Sequence, residues 1–239
     1  MPKTHRVLKR EVLSLLKKDL PLIVQEILRY PPRQVINPLV GALCRDDVTR
    51  WKAVAAIGRV VARIAEEDLE RARVVIRRFM WMLNEESGGM AWGVPEAMAE
   101  SLACQRQLAE EYTSILISYI WPEGNYLEYP PAQRGVVWGI GRLAKVHPDL
   151  IRRFEAAKHL LHLLSSPDKQ VLGLTLWAYA QMGKETMGPY LSQVVSTLRG
   201  LSLPKERPPI LLLEDLRLVE FVWDENFLET LLHSLLDEN

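Results

Sequence analysis

The sequence of 239 residues has few features of a secreted or membrane-bound protein. It contains two cysteines, Cys44 and Cys104, which lie 60 residues apart and have no partner at the spacing of a metal site or a redox motif. No apolar run approaches the ~18 residues that a membrane-spanning helix needs, and none follows the basic N-terminus as in a signal peptide. We therefore expect a soluble, unprocessed cytoplasmic protein with reduced thiols and no membrane contact.

An excess of charge of either sign is also absent, because 30 Lys and Arg residues balance 30 Asp and Glu residues. Dedicated nucleic-acid-binding domains are usually basic, so this balance argues against nucleic acid as a partner. One basic run occupies residues 71–78, but acidic residues precede it at the spacing of ion pairs within a helix. A solvated, self-paired helix face is therefore favoured there over a stripe that contacts phosphates.

The sequence lacks the phosphate-binding glycine loop, the nucleophile elbow and the zinc-protease motif. His159 and His162 have a helical spacing that can ligate a metal, yet no Cys, Asp or Glu motif completes a set around them. Glu85 and Glu86 have the chemistry for acid–base work, although adjacent loop carboxylates are commonly solvated. We predict no catalytic residue, no metal and no cofactor.

Strand-like alternation is missing as well, whereas apolar residues recur at helical spacing along most of the chain. A short segment occurs three times, around Gly58, Gly141 and Gly183. The last two glycines are 42 residues apart and the first two are 83 apart, which is about twice that period. One helical unit is therefore predicted to repeat along the chain.

Pro, Gly and Asp divide the chain into helix pairs within a single domain, 1–239. The repeats cover 32–223, with an N-terminal cap at 5–30 and a C-terminal cap at 226–237 whose outer faces tolerate water. An Asp of the turn at 45–47 is predicted to cap the helix that follows. The five predicted pairs are 32–44 with 48–65, 68–84 with 95–106, 108–121 with 131–146, 149–164 with 168–183, and 186–199 with 209–223.

The run 47–58, DVTRWKAVAAIG, resembles the HEAT repeat, especially its PBS-lyase HEAT-like and armadillo-type relatives. Further matches are Arg134, Val137, Gly139 and Gly141, and then Ser166, Asp168 and Val171. The resemblance implies an all-α protein, a right-handed α–α superhelix (a HEAT-like solenoid) of about five helix pairs with terminal capping helices. Small residues at the repeated glycine position would let neighbouring second helices approach closely. In the second repeat this position falls near Glu100.

Two connections within consecutive repeats, 84–94 and 121–130, are longer than packed helices need. Stacking would place both on one edge of the solenoid, about 10 Å apart, as one surface of aromatic rings and carboxylates. The open alternative is that the rings plug gaps and the glutamates cap helices. The candidate partner-binding residues of this edge are Glu85, Glu86, Trp92, Trp121, Glu123, Tyr126 and Tyr129, with Glu128 beside them.

The concave groove formed by the second helices is another candidate surface. Its predicted partner-binding residues are Arg59, Arg134, Trp138 and Arg142. Arg50, Trp51, Trp177 and Lys184 share those helices. Each tryptophan has core packing as its alternative, and Arg50 or Arg134 has pairing with an Asp of its own or of the neighbouring repeat.

These observations predict a non-catalytic scaffold that binds another protein through the loop edge and the groove, as a monomer or weak dimer. Two alternatives stay open by resemblance. One is a HEAT-like DNA-binding protein or alkylpurine DNA glycosylase, a family that holds a damaged base with groove tryptophans and an aspartate. Trp138 and Trp177 are available here, but no Asp lies beside either in sequence. The other is a helper in cofactor attachment or protein maturation.

Overall fold

The structure is a computed structural model that describes residues 5–84, 92–203 and 206–236. The predicted residues Glu85 and Glu86 lie outside the described residues. The helices are α1 (His5–Leu15), α2 (Leu20–Ile27), α3 (Pro32–Val40), α4 (Asp47–Glu67), α5 (Leu69–Asn84), α6 (Val94–Cys104), α7 (Arg106–Ser118), α8 (Pro130–Val146), α9 (Pro148–Arg153), α10 (Ala156–Leu160), α11 (Lys169–Met187), α12 (Leu191–Arg199) and α13 (Glu225–Leu236). Strands β1 (Ile210–Leu212) and β2 (Leu218–Glu220) form a small sheet.

The first three predicted helix pairs correspond to α3 with α4, α5 with α6, and α7 with α8, with ends that agree within a few residues. The caps correspond to α1 and α2 at one end and to α13 at the other. Local chemistry explains several boundaries. The Asp46 carboxylate accepts a hydrogen bond of 3.0 Å from the Thr49 amide and so caps α4, as the sequence predicts. Proline occupies the first turn of α6 and of α8, where its missing N–H costs nothing.

The first helix of the fourth pair is broken rather than continuous. It consists of α9, α10 and a 3₁₀ turn at Leu161–Ser165, and Glu155 between α9 and α10 has a left-handed φ of 51°. The second helix, α11, is interrupted at Gly183, whose φ of 66° and ψ of 175° are not helical. Glycine adopts this conformation without the steric cost that a Cβ would bring.

The predicted helix at 209–223 is wrong, because this segment forms the hairpin of β1 and β2. The amide of Leu213 donates to the carbonyl of Arg217 over 2.9 Å, and Leu216 turns the chain with a φ of 62°. Leu211 and Leu212 are both buried although they are adjacent in sequence. A short apolar run of this kind suits a buried strand as well as a helix, and periodicity alone does not separate the two.

The described residues form two compact units. One comprises those of Met1–Leu108 and Ile210–Val219, and the other those of Ala109–Pro209 and Glu220–Asn239. In the first unit, α4 is the central helix and packs against α3, α5 and α6. In the second unit, α8 and α11 pack side by side, and the Tyr179 hydroxyl donates to the Ala157 carbonyl over 2.9 Å. A single domain over 1–239 stays a prediction.

Close approach explains two of the three repeated glycines. A Cβ on Gly58 would lie 2.6 Å from Cγ of Glu100, which belongs to α6 in the same unit. A Cβ on Gly141 would lie 2.7 Å from Cε3 of Trp177, which belongs to α11. At Gly183 an added Cβ would meet no atom within 4 Å, so that glycine serves the break in α11 instead. The expected contact between neighbouring second helices is therefore confirmed at the first two positions only.

No helix in the described part of the chain has both the length and the apolar character needed to cross a membrane.

Candidate functional site

The connection between α7 and α8 holds the clearest candidate site. We call residues 121–130 the aromatic loop. Trp121 is 38% exposed and Tyr129 is 39% exposed, so both rings reach solvent. Glu123 and Glu128 are exposed beside them, and Tyr126 is half-buried. Of the predicted loop-edge residues, this unit therefore presents two aromatic rings and two carboxylates on one short segment.

Hydrogen bonds fix the aromatic loop. The Gly124 amide donates to the Trp121 carbonyl over 2.8 Å, and the Leu127 amide donates to the Tyr119 carbonyl over 3.0 Å. The side-chain amide of Gln133, on the first turns of α8, donates to the Leu127 carbonyl over 2.6 Å and to the Tyr126 hydroxyl over 3.0 Å. A loop held in this way presents its exposed rings in one arrangement.

Two histidine rings pack against aromatic rings of the loop. The centroids of the Trp121 and His159 rings lie 4.8 Å apart, and those of the Tyr126 and His162 rings lie 6.0 Å apart. Desolvation lowers the pKa of both imidazoles below the ordinary value of 6.5, and the charge of Lys158 lowers the pKa of His159 further. Both rings are therefore neutral at pH 7 and pack as flat, largely uncharged partners.

The role of His159 and His162 was missed by the sequence analysis, which considered their spacing only for metal binding. Within the described residues, no group of three or more His, Cys, Asp and Glu side chains is placed to hold a metal ion. Their contacts with Trp121 and Tyr126 come from the packing of segments more than 30 residues apart, which helix periodicity does not report.

The other predicted loop-edge ring belongs to the first unit. Trp92 is 44% exposed and precedes Gly93, which has a left-handed φ of 69°. A Cβ on Gly93 would lie 3.0 Å from Cγ of Arg50 and 3.1 Å from Cβ of Leu43, so glycine lets the chain rest on both side chains. The predicted composite surface of the two long connections stays a prediction.

The groove residues are mostly not available to a partner. Trp138 is 1% exposed and Trp177 is 7% exposed, so both lie in the core of the second unit, and Arg142 is buried as well. The placement of Trp138 and Arg142 on a binding surface is corrected accordingly. Core packing was the alternative that the sequence left open for each tryptophan. Trp177 packs against Gly141, which explains its burial. Neither tryptophan has an open face on which a nucleobase would stack.

Arg134 has a structural partner. Its guanidinium donates through both Nε and a terminal nitrogen to the Asp168 carboxylate, and the Nε–Oδ1 distance is 3.0 Å. The Val171 amide also donates to Asp168, which caps α11. Burial opposes ionisation of Asp168, but these hydrogen bonds outweigh it and hold the pKa below its ordinary value. Arg134 thus orients the start of α11, in agreement with the Asp pairing that the sequence left open.

The remaining predicted groove residue, Arg59, is exposed on α4. Three arginines of the basic run on α5 are paired with nearby carboxylates, as the sequence favoured, whereas Arg78 donates to the side chain of Asn37 on α3. Arg71 contacts Asp68 at 2.9 Å, and Glu70 contacts both Arg73 at 3.3 Å and Arg77 at 2.6 Å. These guanidinium groups are therefore largely neutralised by carboxylates of their own helix, as an ordinary solvated face requires.

A buried carboxyl group near the start of α6 had no signal in the sequence. Glu96 is buried, and its Oε2 has no hydrogen-bond partner among the described residues. Burial raises the pKa of Glu96, and the nearby Arg50 charge opposes that shift only in part. Arg50 itself pairs with Asp47 at 2.9 Å, so the Arg–Asp pairing left open for Arg50 is present within one turn of α4.

Comparisons with known proteins agree with this architecture. No protein-family model matches the chain. One relative, an uncharacterized protein of Archaeoglobus fulgidus, is 25% identical over 154 residues, which are 64% of this chain and 74% of the relative.

Similar solved structures include a designed armadillo repeat protein (17% identity, TM-score 0.56, 98% of this chain and 95% of that one). A second designed armadillo repeat protein, in complex with peptide (KR)4, has 16% identity and a TM-score of 0.58 over 95% of this chain and 91% of that one. An engineered protein has 14% identity and a TM-score of 0.52 over 95% of each chain. These likenesses show the fold alone, which is an all-α helical repeat of the armadillo/HEAT-like kind.

Proposed function

We propose that the protein is a non-catalytic interaction module that binds an extended segment of another protein through the aromatic loop. The observation that carries this proposal is the exposure of Trp121 and Tyr129 on a connection whose backbone is fixed by hydrogen bonds. The exposed parts of these two rings do not contribute to the core of the unit. They are the kind of anchor that dominates protein–protein interfaces.

The energetics favour these two rings over the other predicted residues. Aromatic side chains contribute large apolar areas, and a ring that is already held in place loses little conformational entropy when a partner covers it. The contacts of Trp121 with His159 and of Tyr126 with His162 hold one side of the loop. Trp121 is 38% exposed, so part of its ring is available to a partner.

The negative charge of the aromatic loop indicates which kind of segment complements it. Glu123 and Glu128 are exposed on the aromatic loop, and the loop contains no Lys or Arg. A segment that carries basic side chains next to apolar ones complements this surface, because opposite potentials across an interface favour association and suppress wrong partners. A designed protein of similar fold is in complex with the basic peptide (KR)4, which supports the same class of partner.

Several finer expectations belong to the same proposal. Trp92 and Arg59 are exposed and stay proposed partner contacts in the first unit, together with Glu85 and Glu86. A cytoplasmic location is supported by the free thiols of Cys44 and Cys104, since secreted proteins of this size commonly pair their cysteines. A monomer or weak dimer is proposed because no second copy is needed to complete the aromatic loop.

The test uses peptides selected from a random display library on the immobilised full chain. The tightest selected peptide is then titrated against wild type, against Trp121→Ala with Tyr129→Ala, and against Trp81→Ala. Trp81 is a matched control because it is 57% exposed on α5 in the first unit. Removing the two anchors is expected to cost about 2 kcal/mol or more, which is a loss of about 30-fold in affinity.

The selected peptides are expected to be enriched in basic and apolar residues, and Trp81→Ala is expected to bind as wild type does. Equal affinity for the double variant and wild type, with circular dichroism showing that both are helical, would contradict the proposal.

A further inference from the structure

A second surface of the second unit lies far from the aromatic loop in sequence. A cleft of about 670 Å³ is formed by α12, α13 and the segment after the break at Gly183 in α11. This volume is in the range of sites that hold peptide segments or small ligands. Its apolar lining consists of Leu191, Val195, Leu235 and Leu236. Leu236 is exposed and Leu191 is half-buried, so these two side chains are open to a partner, whereas Val195 and Leu235 are buried.

Among the described residues, the polar side chains that line the same cleft are two cations and two hydroxyls, all of which can donate hydrogen bonds. These side chains are Lys184, Ser192, Ser196 and Arg199. The last three recur at i, i+4 and i+7 on α12, so they share one face of that helix. At 1.5 Å per residue this face is about 10 Å long, which an extended peptide covers with about three residues.

These four side chains have no side-chain partner among the residues that the structure describes. Within the part of the chain that the structure describes, none of them makes a side-chain hydrogen bond or an ion pair, and no carboxylate lines the cleft. Glu185 follows Lys184 in sequence and lines an adjoining cleft. Both residues are described by the structure, and their side chains form no ion pair with each other. The contrast with α5 is informative, because Arg71, Arg73 and Arg77 there are paired with carboxylates of their own helix or its cap.

We propose that this cleft binds a short acidic and apolar peptide segment of a partner protein. Carboxylates of the segment accept hydrogen bonds from Lys184 and Arg199, which are charge-assisted and therefore stronger than neutral ones. The hydroxyls of Ser192 and Ser196 supply further donors between these cations. Apolar side chains of the segment cover Leu191 and Leu236. The site is distinct from the aromatic loop, which complements basic segments, and it does not depend on the function proposed above.

The test is an NMR titration of the ¹⁵N-labelled full chain. The probe is a blocked six-residue peptide that alternates Glu and Leu, and a peptide that alternates Lys and Leu is the matched control. The acidic peptide is expected to shift the amides of α12 and of the end of α13, with an affinity that falls as salt is added. The basic peptide is expected to leave those amides unchanged.

Two charge-reversal variants locate the site. Lys184→Glu with Arg199→Glu is expected to weaken binding of the acidic peptide by about tenfold or more, because two attractions become repulsions. Lys145→Glu with Arg152→Glu changes the net charge equally at exposed positions outside the cleft and is expected to bind as wild type does. Trp121→Ala is expected to keep its full affinity for the acidic peptide.

Any of three results would overturn the proposal: amide shifts that are absent or map outside α12 and α13, equal binding by the Lys184→Glu, Arg199→Glu variant, or equal binding of the basic peptide. Loss of the acidic peptide in Trp121→Ala alone would assign its binding to the aromatic loop instead. Failure of the aromatic-loop experiment, by contrast, leaves every result of this titration unchanged.

Discussion

Two pairs of aromatic side chains in the second unit have opposite surroundings. Trp138 and Trp177 lie on α8 and α11 and are buried, whereas Trp121 and Tyr129 lie on the connection before α8 and are exposed. The first pair fills the space between helices that pack side by side, and Trp177 lies against Gly141. In the second pair, Trp121 packs on one side against the neutral ring of His159, and both Trp121 and Tyr129 are exposed to solvent. Tryptophans on second helices are thus core residues in this unit, whereas the exposed rings lie on the connection, which is where we propose that a basic segment binds.

Removal of a core ring is the largest expected effect in this comparison. Trp138→Ala is expected to lower the free energy of unfolding by about 3–5 kcal/mol, because it leaves a ring-sized cavity in a fully buried site. Trp121→Ala is the matched variant and is expected to lower it by less, about 1–2 kcal/mol, since Trp121 is 38% exposed and buries less apolar area than Trp138. Urea unfolding followed by circular dichroism measures both. Similar losses for the two variants would remove the distinction between core and surface rings.

The glycine contact gives the next effect in size. Gly141→Ala forces Trp177 or its helix to move, and we expect it to lower the free energy of unfolding by about 1–3 kcal/mol. Gly183→Ala has room for the Cβ but not a favourable backbone, so its expected cost is about 1 kcal/mol from the positive φ alone. Gly183→Asn is expected to cost about as much as Gly183→Ala, because the ψ of 175° lies outside the left-handed helical region that asparagine tolerates. Thermal unfolding measures the stability of the three variants. Gly141→Ala is expected to be the least stable of them.

The smallest expected effect concerns pH and the support of the aromatic loop. Because the pKa of His159 is below 6.5 in the folded protein, the folded state binds fewer protons than the unfolded chain between the two values. The contribution of neutral His159 to stability is therefore complete above pH 6.5 and is lost as the pH falls through the folded pKa. Wild type is expected to lose more stability between pH 7.5 and pH 5.5 than His159→Gln, measured by urea unfolding at each pH. An identical loss in both proteins would mean that protonation of His159 does not affect the stability of the folded protein.

The fold could be predicted well where a segment follows one period over many residues. The boundaries of α3 to α8 follow from apolar spacing, from caps such as Asp46 and from prolines in first turns. The prediction failed at 209–223, where only a few apolar residues lie between turns and a helix and a strand look alike. It also missed the break within the fourth pair, because the left-handed φ of Glu155 has no glycine to signal it.

The candidate site could be predicted only in part. The length and composition of the aromatic loop indicated a surface, and Arg134 was recognised as a possible partner for an Asp. The sequence did not separate Trp121 from Trp138, because burial depends on which neighbour covers a ring. It also did not reveal that Lys184 and Arg199 share a cleft, since they lie on different helices.

The sequence by itself determined that this protein is a helical-repeat solenoid, because periodic apolar faces and small residues at a fixed spacing have one stable way to stack. Only the tertiary structure decided which aromatic rings are exposed to solvent, which cations have no carboxylate partner among the described residues, and which histidines pack against a loop. The physical reason is that helix formation is governed by neighbours a few residues away, whereas exposure and charge pairing depend on side chains that packing brings together from distant segments.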